Sequence, residues 1–165
     1  SYNGEIYNFL EIRKELEKKG YKFYSNSDTE VVLNAIIEWN SNALLKFNGM
    51  FSLCFWDNET KKLLLARDRY GIKPLYISKQ GKIFSFGSEQ KSIITHPLFK
   101  KELDKEALLE YFTFQNILSE KTLFENITML PAGCCGTIDL GKKNPSFSYA
   151  QYWDYNFNEP KKKNL

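Results

Sequence analysis

The chain has 165 residues, of which 42% are hydrophobic, 16% aromatic and 26% charged. That aromatic content excludes a disordered chain, and the length suits one domain with a short tail. The net charge of +3 equals the contribution of Lys161, Lys162 and Lys163. The rest is balanced and offers no basic face for nucleic acid.

The lysine run itself reads as a solvated linker. No apolar run is long enough to cross a bilayer, and the first twenty residues look like folded-domain sequence rather than a signal peptide. Cys54, Cys134 and Cys135 are odd in number and lack C-x-x-C spacing, which argues against a disulfide framework or a metal site. A reducing, cytoplasmic compartment fits this usage. His96, in a Thr-His-Pro turn, reads as a loop histidine, and one histidine leaves little room for a Ser-His-Asp triad.

In chain order, the first predicted element is a helix from Asn8 to Lys19, with Asn8 and Glu11 as a capping box and Gly20 as its stop. A second helix follows Ser27-Asp28-Thr29-Glu30, another capping box, with Val32, Ile36 and Trp39 on its apolar face. Met50–Trp56 is apolar at both alternate sets, the pattern of a strand covered on both faces. After the turn Asp57–Thr60, Lys62–Arg67 is a second strand. Leu75–Lys79 and Lys82–Phe86 form a hairpin around Gln80-Gly81. Helical pattern returns at Ser88–Thr95 and Asp104–Phe114, the latter capped by Asp104 with Leu108, Tyr111 and Phe112 turned inward. Short strands are expected at Glu125–Leu130 and Cys135–Asp139, and from Gly141 the chain reads as a polar hairpin and linker. Helices and antiparallel strands in this order give an α+β fold, and a doubly apolar sheet needs layers on both sides, for which helix–sheet–sheet–helix is one solution.

Three segments stand out chemically. Asn3-Gly4 is a turn signal, and on its own it reads as a hairpin turn before a helix. The same pair offers a side-chain amide beside a backbone N–H, two donors that suit an oxyanion hole. Asp28 reads first as a helix-start residue and second as a carboxylate able to hold an ammonium group. Arg67, Asp68 and Arg69, between apolar strands, read as a partly buried ion network, structural or at a domain contact.

Taken in order, Asn3-Gly4-Glu5-Ile6-Tyr7-Asn8, Ser27-Asp28-Thr29-Glu30, Asn48-Gly49-Met50-Phe51, the run from Ala66 to Tyr76 and Ser88-Glu89 form a set. With Thr122–Ile127, Leu130-Pro131-Ala132-Gly133 and Tyr152-Trp153-Asp154, it resembles the glutaminase domain of glutamine-hydrolysing asparagine synthetases from Tyr2 to about Trp153. Each motif is weak by itself; their order is specific.

The resemblance implies a four-layer αββα sandwich of the N-terminal-nucleophile hydrolase type. In that family an N-terminal cysteine attacks the glutamine amide, its α-amine acts as base, and a glutamyl thioester forms while ammonia leaves. By motif, Asn3 (side chain) and Gly4 (N–H) would form the oxyanion hole, and Glu5 and Asp28 would bind the α-ammonium end of glutamine. The family's nucleophile and its carboxylate-clamping arginine precede the Asn-Gly-Glu motif. Neither is expected in this chain, so the fold is read as incomplete at its N-terminus and the sequence as truncated at both ends. Ser1 is read as a cut point rather than a nucleophile, and the chain alone is expected to release no glutamate. Residues 1–140 are assigned to the partial glutaminase domain, and 141–165 to a hairpin and linker leading to an absent synthetase domain. No cofactor is expected in these residues; ATP and Mg²⁺ belong to that other domain. The implied partners are glutamine, the missing N-terminal strands, the synthetase domain and a second copy in a homodimer, with no membrane. Two alternatives stand beside this reading. One is a different acceptor, such as a sugar acid in surface-polysaccharide synthesis; the other is a non-catalytic binding module of the same fold.

Overall fold

Alternate residues of a strand face opposite sides of its sheet, so a strand apolar at every position needs a core on each side. A computed structural model of the chain, describing residues 1–157, shows how this is met. Strands β1 (Tyr2–Ile6), β2 (Gly49–Asp57), β3 (Lys62–Arg67), β7 (Cys134–Asp139) and β8 (Phe147–Gln151) form an antiparallel sheet in the order β1-β2-β3-β7-β8. Strands β4 (Tyr76–Gln80), β5 (Ile83–Gly87) and β6 (Ile127–Met129) form a second, in the order β5-β4-β6.

One face of the larger sheet packs on α1 (Phe9–Lys18), α2 (Asp28–Trp39) and α3 (Ala43–Lys46). Phe51, Leu53, Leu64 and Ala66 meet Ile12, Leu16, Val32, Ala35 and Ile36 there. The opposite face meets the smaller sheet through Leu65, Cys54 and Cys134 against Leu75, Ile77, Phe84 and Phe86. Helix α4 (Gln90–Ile94) packs against β5, and the segment after it closes over Ser78, Ile83 and Ser85 on the outer side. The result is the expected α+β sandwich with two sheets face to face between helical layers.

Several local expectations are corrected. Asn3-Gly4 is not a turn: both residues lie inside β1, paired with Ser52 and Phe51. Neither capping box closes. The Asn8 amide instead spans Lys46 O (3.0 Å) and Asn48 N–H (2.9 Å), tying the start of α1 to the entry of β2. Ser27 does cap α2, accepting from Thr29 N–H at 3.2 Å, whereas Glu30 turns back to Tyr24 N–H, Ser25 N–H and the Ser25 hydroxyl. Helix α5 (Lys105–Phe114) is capped by Asp104 as expected, accepting from Ala107 N–H at 2.9 Å. Of the residues expected inward, Leu108 is half-buried while Tyr111 and Phe112 are exposed, and only Ala107 is fully buried. Apolar residues cover most of this helix outside the polar Glu106-Glu110-Thr113 stripe, so no narrow stripe selects one inward face.

Arg67, Asp68 and Arg69 do not pair with one another. Asp68 is fully buried, and its carboxylate accepts from the backbone N–H groups of Phe51, Tyr70, Ile72 and Lys73 at 2.9–3.2 Å. Arg67 donates to the carbonyls of Gly71, Lys73 and Leu130. The charges serve as backbone clamps around a tight turn. Gly133 N–H adds a bond to Asp68 O at 2.8 Å.

His96 sits in an exposed loop, its Nδ1 accepting from Leu98 N–H at 3.3 Å. The hairpin read from Gly141 onward ends in β8, which pairs with β7 from Ile138↔Phe147 to Cys134↔Gln151. The Lys161–Lys163 linker lies outside the described residues. Among the described residues no helix is long and apolar enough to cross a membrane.

Candidate functional site

Strand β1 is an edge strand among the described residues, and its hydrogen-bond parity determines what the edge presents. In an antiparallel ladder, alternate residues exchange both backbone bonds with the neighbour, and those between them point away. Cys54 N–H donates to Ser1 O, and Tyr7 N–H to Asn48 O, both at 2.8 Å. Odd-numbered residues of the segment therefore face β2, and Tyr2, Gly4 and Ile6 direct their N–H groups outward. Ile6 shows this directly, donating to Asp28 Oδ2 at 3.0 Å. Gly4 N–H, two residues earlier, points from the same edge, about 7 Å along the strand.

Gly4 is glycine for a steric reason. A Cβ there would run into Met50 O and lie 2.6 Å from Phe51 Cα. Gly49 mirrors it: a Cβ would run into Glu5 O and sit 2.9 Å from Ile6 Cα. The β1 and β2 backbones thus approach more closely than side chains allow.

Asn3 and Glu5 occupy the opposite face of β1 from Tyr2 and Ile6. Asn3 Nδ2 donates to Ser88 Oγ at 3.2 Å, reaching from one sheet to the end of the other. A cavity of about 150 Å³ lies between the sheets at this point, lined by Asn3, Ser52, Cys54, Leu75, Phe86 and Ser88 among others. Glu5 is exposed and makes no ion pair or side-chain hydrogen bond among the described residues.

Asp28 stands at the first turn of α2 but does not cap it. Its Oδ2 accepts from the Tyr2 hydroxyl (2.8 Å) and Ile6 N–H, while Oδ1 has only a 3.5 Å contact with Thr29 Oγ1. Tyr2 is half-buried; desolvation, followed by the neighbouring Asp28 carboxylate, raises its pKa, so it remains a proton donor. The structure therefore brings Asn3, Gly4 and Asp28 to one strand edge and leaves Glu5 beside them in solvent. Tyr2 and Ser88 were missed in sequence. The signal for Tyr2 was its alternation with Gly4 and Ile6; for Ser88 it was only membership of the Ser88-Glu89 motif.

Each cysteine thiol is pushed up by burial, which keeps it protonated and poorly nucleophilic near neutral pH. Ser1 donates its amine to Cys54 O at 2.9 Å and accepts from Cys54 N–H, so it extends the β1 ladder as one more strand residue. No cluster of three or more His, Cys, Asp or Glu able to hold a metal occurs among the described residues.

Comparison with known proteins identifies the family of the domain. Residues 1–153 match the glutamine amidotransferase domain family. Asparagine synthetase [glutamine-hydrolyzing] 3 of Bacillus subtilis is 45% identical over 111 residues, which are 67% of this chain and 18% of that protein. Asparagine synthetase [glutamine-hydrolyzing] 1 of the same organism is 38% identical over 156 residues, 94% of this chain and 24% of that protein. The chain thus spans about a fifth to a quarter of the length of these relatives. Among solved structures, the glutamine phosphoribosylpyrophosphate amidotransferase of B. subtilis superposes with a TM-score of 0.59 at 20% identity, covering 96% of this chain and 29% of that one. The allosteric regulatory enzyme of purine biosynthesis gives 0.61 at 18% identity, covering 92% and 28%. At these identities the likeness is one of fold. The match over residues 1–153 places this chain in the glutamine amidotransferase domain family.

Proposed function

We propose that this domain releases ammonia from the side-chain amide of glutamine, within a polypeptide that transfers the ammonia to aspartate in an ATP-dependent reaction. The observation that carries the first half is the outward Gly4 N–H next to the Asn3 amide. When a nucleophile adds to the amide carbon, the carbonyl oxygen gains negative charge. Two donors held ready for that oxygen would stabilise the transition state without reorganising. Asp28 Oδ1 and the Glu5 carboxylate, near the same edge, suit the α-ammonium group of glutamine as charge-assisted acceptors.

The nucleophile is proposed to be an N-terminal cysteine outside the described residues, since Cys54, Cys134 and Cys135 are held as thiols. The second half rests on the relatives, which are named as glutamine-hydrolysing asparagine synthetases. The ATP and Mg²⁺ chemistry is assigned to the part of such a polypeptide beyond this domain. A cytoplasmic setting fits three free cysteines.

The test is steady-state kinetics of the natural polypeptide carrying this domain, with glutamine, aspartate and ATP as substrates. Asparagine and glutamate should form together. Asp28→Asn should raise KM for glutamine by about tenfold or more and leave ammonia-dependent asparagine formation intact. Asparagine formed from free ammonia alone, with glutamine inert, would refute the glutaminase role.

A further inference from the structure

We propose that Ser88 is a positioning residue for glutamine hydrolysis, holding the Asn3 amide in the orientation from which it donates to the developing oxyanion. The inference deepens the amidotransferase reading and rests on it.

An oxyanion donor is effective only when it is aimed before the reaction begins. The backbone of Asn3 is secured by its pairing with Ser52 in the β1–β2 ladder. Its amide plane is not, because the terminal torsion of asparagine is broad and roughly two-fold. Asn3 Nδ2 carries two hydrogens. One is taken by Ser88 Oγ at 3.2 Å, and this fixes where the other points.

Ser88 is itself firmly placed. It follows β5, whose last residue Gly87 is in register with Tyr76 of β4. The chain then turns tightly into α4, where Ser92 Oγ donates to Glu89 O at 2.7 Å and Ser92 N–H to the same oxygen at 3.2 Å. A side chain at 87 would collide with Ser92 Oγ, so glycine there allows the turn that delivers Ser88. The acceptor that orients a β1 donor therefore comes from the other sheet. The spacing between the sheets is read out at the amide.

A bond that merely stitched the sheets together would affect stability. An orienting bond affects turnover. In the natural polypeptide carrying this domain, Ser88→Ala should lower kcat for glutamine hydrolysis about ten- to a hundredfold, with KM for glutamine and the melting temperature little changed. Ser88→Thr keeps the hydroxyl, and the adjoining cavity of about 150 Å³ has room for its methyl group, so it should restore most of kcat. In the Asn3→Ala background, Ser88→Ala should cost no further turnover.

Wild-type kcat in Ser88→Ala, an equal loss in Ser88→Thr, or an effect confined to KM would each overturn the role of Ser88. A wild-type polypeptide that does not hydrolyse glutamine would overturn the amidotransferase reading and this role together. An active wild type indifferent to Ser88→Ala removes this role alone.

Discussion

At the scale of single residues, Gly4 and Asp68 each answer a demand set by the surrounding backbone. Gly4 lets β1 lie against β2 at a distance where a Cβ would strike Met50 O. Gly4→Ala should therefore destabilise the domain by about 3 kcal/mol, because the obstacle is backbone and cannot rotate aside. Thermal and urea unfolding of the variant check this. Asp68 is buried with its carboxylate accepting from Phe51, Tyr70, Ile72 and Lys73 N–H. Asp68→Asn keeps the shape but turns an NH₂ toward backbone donors. A loss of about 2–4 kcal/mol is expected in the same measurement. Neither role was legible beforehand. Asn-Gly reads as a turn because glycine so often supplies positive φ, whereas Gly4 is required for close approach inside a strand. The charged run at 67–69 reads as an ion network because sequence shows charges and hides the carbonyls and N–H groups that answer them.

At the scale of elements, the site depends on how the start of α2 is held against β1. Asp28 reaches β1 through Tyr2 and Ile6. The loop leading to it is gathered by Glu30, whose carboxylate accepts from the Ser25 hydroxyl and the N–H groups of Tyr24 and Ser25. The Ser25 hydroxyl first, and then those backbone donors, lower the Glu30 pKa below its ordinary value. A lowered folded-state value gives stabilisation that is present above the unfolded carboxylate pKa and lost as pH falls through the folded one. Between neutral pH and about pH 3, the melting temperature of wild type should therefore fall more than that of Glu30→Gln. Equal falls would show that Glu30 does not anchor this loop. The helix itself was legible: Ser27 is the cap, and Val32 and Ile36 are buried where the helical period puts them. The reciprocal half of the capping box was not, because the same glutamate found stronger donors in the preceding loop.

At the scale of the whole molecule, the doubly apolar strand Met50–Trp56 foretold the central feature, a sheet with a core on each face. Phe51 and Leu53 face the helices, while Cys54 faces the other sheet. That pattern required only a core on each face; the four-layer sandwich came with the family resemblance, which rested on motif order. The docking of α5 could not be read in the same way, since its apolar face is too broad to select one inward direction. Leu109, Phe112 and Phe114 remain largely exposed on it, and elsewhere so do Tyr70 and Tyr155, whose rings pack against each other. A cleft of about 310 Å³ between α2 and β2 is lined by Val32, Leu33, Ile36, Leu53 and Phe55. Apolar surface of this extent favours association. The 165-residue chain alone should sediment as oligomers at micromolar concentration, and a monodisperse monomer would contradict that expectation.

The central claim is that the edge of β1 stabilises an oxyanion formed from glutamine. It is tested most directly by glutamate release from glutamine by the natural polypeptide carrying this domain, in wild type and in Asn3→Ala. Loss of one such donor should lower kcat by about 10²- to 10³-fold and change KM for glutamine far less. Turnover by Asn3→Ala at the wild-type rate would contradict the account.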